Sequence, residues 1–272
     1  MSQSQPGGQG PRRTRIAVVP AYNEEPTVRG VLTRLAPLVD ELIVVDDGST
    51  DGTRAEILAS VAEHPDIRAL WFDHNRGMSA AYYRAFTDLR TRLRAGELDP
   101  DALVFTVDAD EQHDLESFDH LEALVVGGGL DALLAQRDLS DYPWIKRAGN
   151  AVMSRWATLW AGRPLRDVES GYRVFRLGAL AHALDYYRGY KYSETVEVAV
   201  VLCRLGYEVR NDVLVPVPVF RSRTSFLDAA IDLAAIPAAW FRVRRGRRSR
   251  QHRDMAPDAV SGSRPDTARR TG

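Results

Sequence analysis

The sequence predicts an α/β protein, in which helices flank a mainly parallel mixed sheet of the Rossmann-like kind. Two observations predict this class. Four short apolar runs, rich in β-branched residues, alternate with segments of helical spacing between residues 15 and 110. Acidic or Gly/Ser-containing turn residues follow several of these runs. Strands that alternate with helices are joined by right-handed crossovers, so we expect parallel pairing, with the carboxyl ends of the strands along one edge.

The predicted strands and helices follow one another along a single domain. We expect strands over residues 15–20, 41–46, 67–72, 103–107, 132–137 and 171–176, and an extended stretch over 207–219. Helical spacing predicts helices over residues 24–38, 51–63, 78–93, 115–126, 145–160 and 195–205. Neither an internal repeat nor a strong linker is visible before residue 244. One domain is therefore expected over residues 15–225, followed by a C-terminal helical appendage.

Length and composition are those of a globular protein with one large domain. The 272 residues are 44% hydrophobic and 27% charged. The single cysteine, Cys203, excludes an intramolecular disulfide and a cysteine-rich zinc site, and it favours a cytoplasmic location. The net charge is −1, but residues 244–272 contain nine arginines and three aspartates. The body is therefore acidic, so no nucleic acid is expected to bind the folded surface.

Both ends of the chain are expected to differ from the domain. Residues 1–14 are polar and rich in Gly and Pro, which predicts disorder and no secretory signal, and residues 244–272 are predicted to be a disordered basic tail. No apolar run reaches the roughly 20 residues that span a bilayer. Residues 226–243 are mostly apolar and are followed by arginines. They predict an amphipathic helix that lies in a membrane interface.

Three residues give detail to this expected membrane contact. Trp240 is expected at the level of the lipid head groups, and Arg242 is expected to reach anionic head groups. Pro237 is expected to interrupt any long straight helix. The alternative is a C-terminal helix that packs on the domain.

Acidic and aromatic residues follow the first two predicted strands. Tyr22 could stack on a base and Glu24 could accept its N–H groups. The alternative is a loop that leads into a helix, because the N-terminus of a helix favours acidic residues.

Asp46 and Asp47 end the second strand, and residues 49–51 could cap the next helix. Capping does not account for two adjacent carboxylates, whose repulsion must be offset by a ligand or by hydrogen-bond donors. Asp47 could bind a ribose hydroxyl or a base amine.

Asp108 and Asp110 follow the fourth predicted strand. Alternation along an extended chain places both on one side. Two carboxylates at a strand end suit a hard divalent cation, which keeps waters and takes further ligands from substrate phosphates. A histidine-based zinc site is the weaker alternative, because His113 and His120 are seven residues apart and a loop histidine is expected to be solvated.

Together these segments resemble glycosyltransferase family 2, which has the GT-A fold. The matching segments are residues 20–24, 45–53, 75–77 with 80–81, 108–114 and 167–173. Within the family the resemblance is nearest to the dolichyl- and polyprenyl-phosphate mannose synthase branch. A helix-and-strand unit containing Glu197, Gly206 and residues 215–217 agrees with it, so the resemblance covers about residues 15–225.

The resemblance implies an inverting hexosyltransferase that uses a GDP- or UDP-linked sugar. The residues implied to bind the donor are Pro20, Tyr22, Glu24, Asp47 and Ala109. Asp108, Asp110 and Gln112 are implied to hold Mg²⁺ or Mn²⁺ against the diphosphate, where the metal stabilises the departing nucleoside diphosphate. The implied acceptor is a polyprenyl or dolichyl phosphate, reached by a protein that is peripheral on the inner face of the cell membrane. Met78 departs from the family pattern, because many relatives have lysine there.

Cationic residues in the second half of the domain are candidates for recognising an acceptor phosphate. Arg137 and Arg173 flank matched segments, and the fork of an arginine suits phosphate, although a surface salt bridge is the alternative for each. Asp167 begins the last matched segment of this half and is included as a catalytic candidate. Arg221 follows the last matched strand, where a loop could close over the donor.

Other functions fit parts of the sequence. A family 2 glycosyltransferase could act on a soluble or polysaccharide acceptor. A sugar nucleotidyltransferase also places carboxylates and metal on such a sheet, but the Gly- and Lys-rich loop expected near its first strand is not seen. A non-catalytic scaffold with this fold is the third alternative, and the intact Asp108 and Asp110 argue against it.

Overall fold

The computed structural model describes residues 13–140, 142–187, 194–216 and 233–246. Its strands are β1 (Arg15–Ala21), β2 (Glu41–Asp46), β3 (Ile67–Trp71), β4 (Leu103–Thr106), β5 (Ala132–Leu134), β6 (Gln136–Arg137), β7 (Arg173–Arg176), β8 (Val209–Arg210) and β9 (Leu214–Val215). Seven of them form one sheet in the order β3-β2-β1-β4-β7-β5-β8, and β6 pairs with β9 in a second sheet. These strands confirm the predicted mixed α/β architecture.

Strand β7 runs against both of its neighbours. It is antiparallel to β4 and to β5, whereas β1, β2, β3 and β4 are parallel to one another and β8 is parallel to β5. The single strand predicted over residues 132–137 is divided between the two sheets at Ala135, whose N–H donates to the carbonyl oxygen of Tyr172 over 3.1 Å. This division turns β6 away from the main sheet, toward β9.

Helices cover both faces of the large sheet. They are α1 (Val28–Leu35), α2 (Thr53–Glu63), α3 (Met78–Arg94), α4 (Phe118–Gly127), α5 (Trp144–Ala161), α6 (Leu177–Ala183) and α7 (Glu194–Leu205), and residues 233–246 form α8. In β1, Ile16 and Val18 join the cluster that contains α3 and α5 to α8, while Ala17 and Val19 join the cluster of α1, α2 and α4. Burial on both faces explains why these strands are continuous apolar runs rather than alternating ones.

Two local differences from the sequence prediction have simple causes. Helix α1 begins at Val28 instead of Glu24, because the Glu24 carbonyl closes a turn by accepting the N–H groups of Thr27 and Val28 at 3.1 and 2.9 Å. Helix α6 was not predicted. It has seven residues, most of them buried, so it is too short and too uniformly apolar to show a helical period.

Helix α8 packs on the domain. Ile236, Ala239 and Val243 are buried in the cluster formed with α5 and α7. Arg242 forms an ion pair with the buried Glu197 of α7 and donates through Nε to the carbonyl oxygen of Tyr186 over 2.6 Å. The guanidinium that was expected to reach lipid head groups is thus engaged by groups of the domain.

The described part of the segment predicted as interfacial, residues 233–243, takes the alternative course of packing on the domain. Residues 226–232 and 247–272 lie outside the described residues. Within the four described ranges, none of the helices combines the length and apolarity that crossing a bilayer requires.

Pro237 lies within α8 without ending it. A proline has no N–H, so the carbonyl four residues earlier, that of Leu233, loses its usual intrahelical donor. The indole Nε1–H of Trp156 in α5 donates to this carbonyl over 3.0 Å. A side chain of a neighbouring helix thus takes the place of the missing backbone donor, and the helix continues past Pro237.

This replacement can be tested with a double-mutant cycle. Trp156→Phe removes the donor, and we expect a loss of about 1 kcal/mol in the free energy of unfolding beyond the cost of the smaller ring. In a Pro237→Ala background residue 237 regains its N–H, so the indole becomes redundant and the cost of Trp156→Phe should shrink by that amount. Urea unfolding of the four proteins measures both costs. An equal cost of Trp156→Phe in both backgrounds would contradict the proposal that the indole replaces the donor that Pro237 lacks.

Candidate active site

The matched segments meet at one edge of the large sheet. The parallel strands β1, β2, β3 and β4 all end at this edge, and the antiparallel β7 begins there. The register of β4 and β7 places Thr106 opposite Arg173. The loop after β4 and the loop before β7 are therefore neighbours, although they are about 60 residues apart in the sequence.

Hydrogen bonds join the loops after β1 and β2. The N–H of Asn23 donates to Ser49 Oγ over 3.0 Å, and Asn23 Oδ1 accepts the N–H of Thr50 at 2.9 Å. The N–H of Glu24 donates to Thr53 Oγ1 over 2.7 Å. The hydroxyl groups of Ser49 and Thr53 thus bind the neighbouring loop. Of the predicted capping residues, Asp51 accepts the N–H of Thr53, the first residue of α2, at 3.0 Å. The hydrogen bonds between the two loops hold them together as one unit that supports the first half of the site.

The residues predicted to hold the nucleoside differ in accessibility. Pro20 is buried inside β1 and Ala109 is buried between the two aspartates. Glu24 is also buried, and its carboxylate accepts a hydrogen bond from the hydroxyl of Thr27 at 3.1 Å. Tyr22 is 38% exposed, so its ring is the accessible surface of this group.

The carboxylates at the end of β2 are both supplied with donors. Arg54 Nε donates to Asp46 over 3.0 Å. The two oxygens of Asp47 accept the backbone N–H groups of Arg76 and Gly77, each at 2.8 Å. Burial raises the pKa of Asp47 even though these hydrogen bonds act to lower it. The protein's own donors offset the repulsion of the pair, and Asp47 fastens the loop after β3 to the end of β2.

The partly buried side chain of Asp108 is in contact with His113 and Tyr82. The N–H of Asp108 donates to His113 Nδ1 over 3.0 Å, and His113 Nε2 lies 3.3 Å from Asp108 Oδ2. This pattern assigns the ring proton to Nε2, facing the carboxylate. The Tyr82 hydroxyl lies 3.4 Å from Asp108 Oδ1. Burial raises the pKa of Asp108, against the opposing effects of Tyr82, Arg137 and Arg173.

His113 is not the solvated residue that was expected. It is 7% exposed and its ring is stacked on Tyr172, with ring centroids 4.8 Å apart and 11° between the planes. Burial lowers the pKa of His113 to about 4, so the ring is neutral near pH 7. A neutral ring that orients Asp108 was missed in the sequence, where the only available signal was its position inside a matched segment.

Asp110 is tied to Gln112. Its Oδ1 accepts the Gln112 N–H at 3.2 Å, and the Gln112 side-chain amide donates to its other oxygen. Glu111 between them has a φ of 65°, which turns the loop sharply. Burial and the charge of Asp108 raise the pKa of Asp110. In the described chain, neither Asp108 nor Asp110 has an arginine or lysine within ion-pair distance.

This donor set fits a divalent cation that arrives with a nucleotide. Two partly buried carboxylates that repel each other are stabilised by a cation between them. Among the described residues no group of three His, Cys, Asp or Glu side chains could hold a metal. Asp108 and Asp110, with Gln112 beside them, could supply part of a ligand set that water and phosphate oxygens would complete.

The loop before β7 approaches Asp108 closely. Thr106 Oγ1 donates to the carbonyl oxygen of Gly171 over 2.5 Å. A Cβ atom built on Gly171 would lie 2.9 Å from Asp108 Oδ2 and 3.1 Å from Oδ1. Only glycine leaves room for the carboxylate at this distance.

Arg137 and Asp167 form a forked ion pair beside the two aspartates. Arg137 donates to the Asp167 carboxylate through its backbone N at 2.7 Å, through Nε at 3.0 Å and through Nη2 at 2.6 Å. Burial opposes the positive charge, but Asp167 outweighs it and raises the pKa of Arg137. The ring of Tyr142 lies 5.9 Å from the guanidinium carbon. The turn from Asp167, closed by the Ser170 N–H donating to the Asp167 carbonyl over 3.0 Å, leads directly to Gly171 beside Asp108, so the ion pair adjoins the aspartates.

Arg173 occupies a different position from the one expected. It is 1% exposed, and its guanidinium donates to the carbonyl oxygens of Ser170 and Val168 at 2.8 and 2.7 Å. It therefore holds the turn before β7 from inside. In the described part of the chain, the buried hydroxyl of Ser170 has no hydrogen-bond partner. Arg221 lies outside the described residues.

Gly171→Ala tests the close approach to Asp108. The added methyl group should displace the carboxylate, and we expect sugar transfer to fall at least about tenfold while the protein stays folded, because small misplacements in a site have large kinetic effects. Gly127→Ala is the matched control, since a Cβ there meets nothing within 4 Å. Transfer rates and circular dichroism of both variants are the measurements. Equal activity of the two variants would contradict this account of Gly171.

Comparisons with known proteins identify related sequences. The model of glycosyl transferase family 2 matches residues 16–181. The undecaprenyl-phosphate mannosyltransferase of Micrococcus luteus is 29% identical over 202 residues, which cover 71% of this chain and 79% of that protein. The UDP-N-acetylglucosamine–dolichyl-phosphate N-acetylglucosaminyltransferase of Methanococcus voltae is 27% identical over 206 residues, covering 69% and 78%.

A solved structure shows the same fold. Glucosyl-3-phosphoglycerate synthase from Mycobacterium tuberculosis, in complex with Mn²⁺, UDP-glucose and phosphoglyceric acid, superposes with a TM-score of 0.59 and 21% identity over 85% of this chain and 80% of that one. The sequence of that synthase is 50% identical over a stretch of 54 residues, which is 18% of this chain. The family model covers more than half of the sequence, and the chain belongs to glycosyl transferase family 2.

Proposed function

We propose that this glycosyltransferase moves a hexose from a GDP- or UDP-sugar to a polyprenyl phosphate, with inversion at the anomeric carbon and with Mg²⁺ or Mn²⁺. One observation carries the proposal. The Asp108–Asp110 pair and the Arg137–Asp167 ion pair lie side by side where β4 ends and β7 begins. A partly accessible guanidinium beside a cation site suits a reaction between a diphosphate-linked sugar and a phosphate.

The donor would lie across the ends of β1, β2 and β4. The exposed ring of Tyr22 offers a stacking surface for the base. Asp47 already accepts two backbone hydrogen bonds, and each carboxylate oxygen has a second lone pair that can accept a base or ribose donor. The floor of this donor-binding half of the site would be formed by Pro20, Glu24 and Ala109. Relatives whose names state a donor use UDP-sugars, and a mannosyltransferase of the same fold was solved with GDP-mannose.

Asp108 and Asp110, with Gln112, are the residues that would hold the metal. A bound divalent ion would neutralise charge that develops on the departing nucleoside diphosphate. Two solved structures of this fold contain Mn²⁺, which supports the assignment. His113 and Tyr82 hold the Asp108 carboxylate, and Gly171 leaves it room.

Arg137 is the residue proposed to contact the acceptor phosphate. Its guanidinium is held by Asp167, and 24% of its side-chain surface is accessible. Asp167 and Arg173 are proposed as positioning residues, because Asp167 orients the fork and Arg173 fixes the turn that follows. A phosphate acceptor is already anionic, so it can attack from the face opposite the diphosphate without a strong general base. The Micrococcus and Methanococcus relatives are named for lipid-phosphate acceptors, which supports this choice.

A soluble phosphorylated acid is the second candidate acceptor. The stretch of 54 residues that is 50% identical to glucosyl-3-phosphoglycerate synthase favours it. Both candidates present a phosphate to the same arginine fork, so the residues alone do not separate them. Transfer to a prenyl phosphate would place the enzyme on the inner face of the cell membrane, whereas transfer to phosphoglycerate would not require a membrane.

Asp110→Asn tests the function and its metal dependence together. Radiolabelled GDP-mannose, UDP-glucose and UDP-N-acetylglucosamine are offered with Mn²⁺ and either a prenyl phosphate or 3-phosphoglycerate. We expect transfer to the prenyl phosphate, lost in excess chelator and reduced by at least about a hundredfold in the variant, because charge stabilisation of this kind is worth several kcal/mol.

Asp119→Asn is the control, because the Asp119 side chain is 78% exposed and, in the described structure, forms an ion pair with Arg15 at the far end of β1 from the site. Full transfer in chelator would refute the metal assignment. Transfer to 3-phosphoglycerate alone would replace the lipid acceptor with the soluble one.

Arg137→Lys tests the acceptor role. Lysine keeps the positive charge but loses the fork, so we expect a higher KM for the acceptor with donor hydrolysis in water little changed. Arg163→Lys is the control, since Arg163 forms a similar fork with an exposed carboxylate, that of Glu208. Equal losses of acceptor transfer and donor hydrolysis would assign Arg137 to donor binding or to stability.

A further inference from the structure

Exposed apolar side chains are concentrated on two adjacent helices. Of the eleven large apolar side chains that are exposed in the described structure, six lie on α5 and α8, and the other five are scattered over four other elements and one loop. The six are Trp144, Ile145, Val152, Leu159, Leu233 and Phe241. Trp144 is 75% exposed, the highest value of the eleven. A contiguous apolar surface of this kind marks an interaction site.

The six side chains belong to one continuous surface, which we term the α5 face. Ile145, Val152 and Leu159 follow one another at intervals of seven residues, so they lie on one side of α5. The Trp160 and Phe241 rings, with centroids 6.2 Å apart, join this side to α8. The hydrogen bond from Trp156 to Leu233 makes a second connection.

The charge of the α5 face is of one sign. Helix α5 has 18 residues and contains Lys146, Arg147 and Arg155, all exposed, but no aspartate or glutamate. The whole chain, in contrast, has 37 acidic and 36 basic residues. Apolar side chains interleaved with cations suit an anionic lipid surface. Two copies of this face meeting about a two-fold axis would bring their cations together, which disfavours a symmetric dimer.

The α5 face adjoins the proposed acceptor site. Helix α5 begins at Trp144, two residues after Tyr142, whose ring lies 5.9 Å from the Arg137 guanidinium carbon. The most exposed apolar side chain is therefore at the end of the helix nearest the proposed phosphate contact. A bilayer against this face would place its head groups beside Arg137.

We propose that the α5 face docks on an anionic bilayer and presents the acceptor site to lipid phosphates at its surface. The proposal rests on the proposed function for its biological meaning, but the docking itself can be measured without any transfer reaction. It places the membrane contact on α5 and the outer side of α8, in contrast to the interfacial helix expected from residues 226–243.

Vesicle binding of the full-length protein tests the docking. The vesicles contain phosphatidylglycerol and phosphatidylcholine, with pure phosphatidylcholine for comparison. The variant Ile145→Ser/Val152→Ser should bind the anionic vesicles at least about tenfold more weakly, because two apolar side chains no longer leave water. The matched control is Leu58→Ser/Val126→Ser, which removes exposed apolar side chains from α2 and α4 and should bind like the native protein. Lys146→Gln/Arg147→Gln should reduce binding to anionic vesicles and its dependence on salt.

Phospholipids brominated on the acyl chains report whether Trp144 itself enters the bilayer. They should quench the tryptophan fluorescence of the native protein, and Trp144→Phe should remove most of this quenching while vesicle binding persists. Equal vesicle binding by the Ile145/Val152 and Leu58/Val126 variants would overturn the proposal. Quenching that is unchanged in Trp144→Phe would overturn it as well.

Two other occupants of the α5 face would be recognised in the same experiments. A native oligomer that becomes monomeric in the Ile145/Val152 variant, with vesicle binding unchanged, would assign the face to a second copy. Failure of aqueous acrylamide to quench Trp144 in lipid-free protein would assign it to a segment of this chain outside the described residues. Either result overturns the proposal.

An activity assay separates this proposal from the proposed function. The Ile145/Val152 variant should keep transfer to a short, water-soluble prenyl phosphate and lose transfer to a long-chain prenyl phosphate in vesicles. If no prenyl phosphate is accepted by the native protein, the proposed function fails, while vesicle binding still decides the docking.

Discussion

The antiparallel pairing of β7 with β4 is the constraint on which the site depends. With Thr106 opposite Arg173, the residue two positions after Thr106 meets the residue two positions before Arg173, and these are Asp108 and Gly171. A parallel β7 would place its preceding loop at the opposite edge of the sheet. The reversal of one strand therefore unites the carboxylates with the Asp167–Arg137 ion pair, which comes from a distant part of the chain.

The carboxylates at this edge of the sheet differ in how far neighbouring groups neutralise them. Asp46 and Asp47 receive donors from arginine and from backbone, and Asp167 is neutralised by Arg137. Asp110 receives only the neutral amide groups of Gln112 in the described structure, and its pKa is raised. The surplus of negative charge is thus concentrated at one carboxylate pair. Three non-glycine residues with positive φ, Asn23, Glu111 and Asp167, all lie in the surrounding loops, as expected where a site stores backbone strain.

The sequence was sufficient for the features that depend on local pattern. Apolar runs predicted strands β1 to β4, and the acidic residues that follow them indicated which edge carries the site. Features that depend on distant contacts were not predictable in this way. His113 is buried because Tyr172, 59 residues later, stacks on it, and Arg173 turns inward because carbonyl groups of its own preceding turn accept its hydrogen bonds. Helix α8 packs on the domain through a partner, Glu197, that no local pattern could identify.

Helix α5 connects these parts of the molecule. Its inner side is filled, since Met153, Ala157 and Ala161 are buried in the core, and Trp156 holds the carbonyl that Pro237 leaves without a donor. Close packing leaves no space on this inner side for further large side chains. The exposure of Trp144 and Val152 on the outer side is therefore a consequence of the fold, because a helix fixed along one side cannot rotate to bury the other. Their apolar surface can leave water only by contact with something outside the described domain.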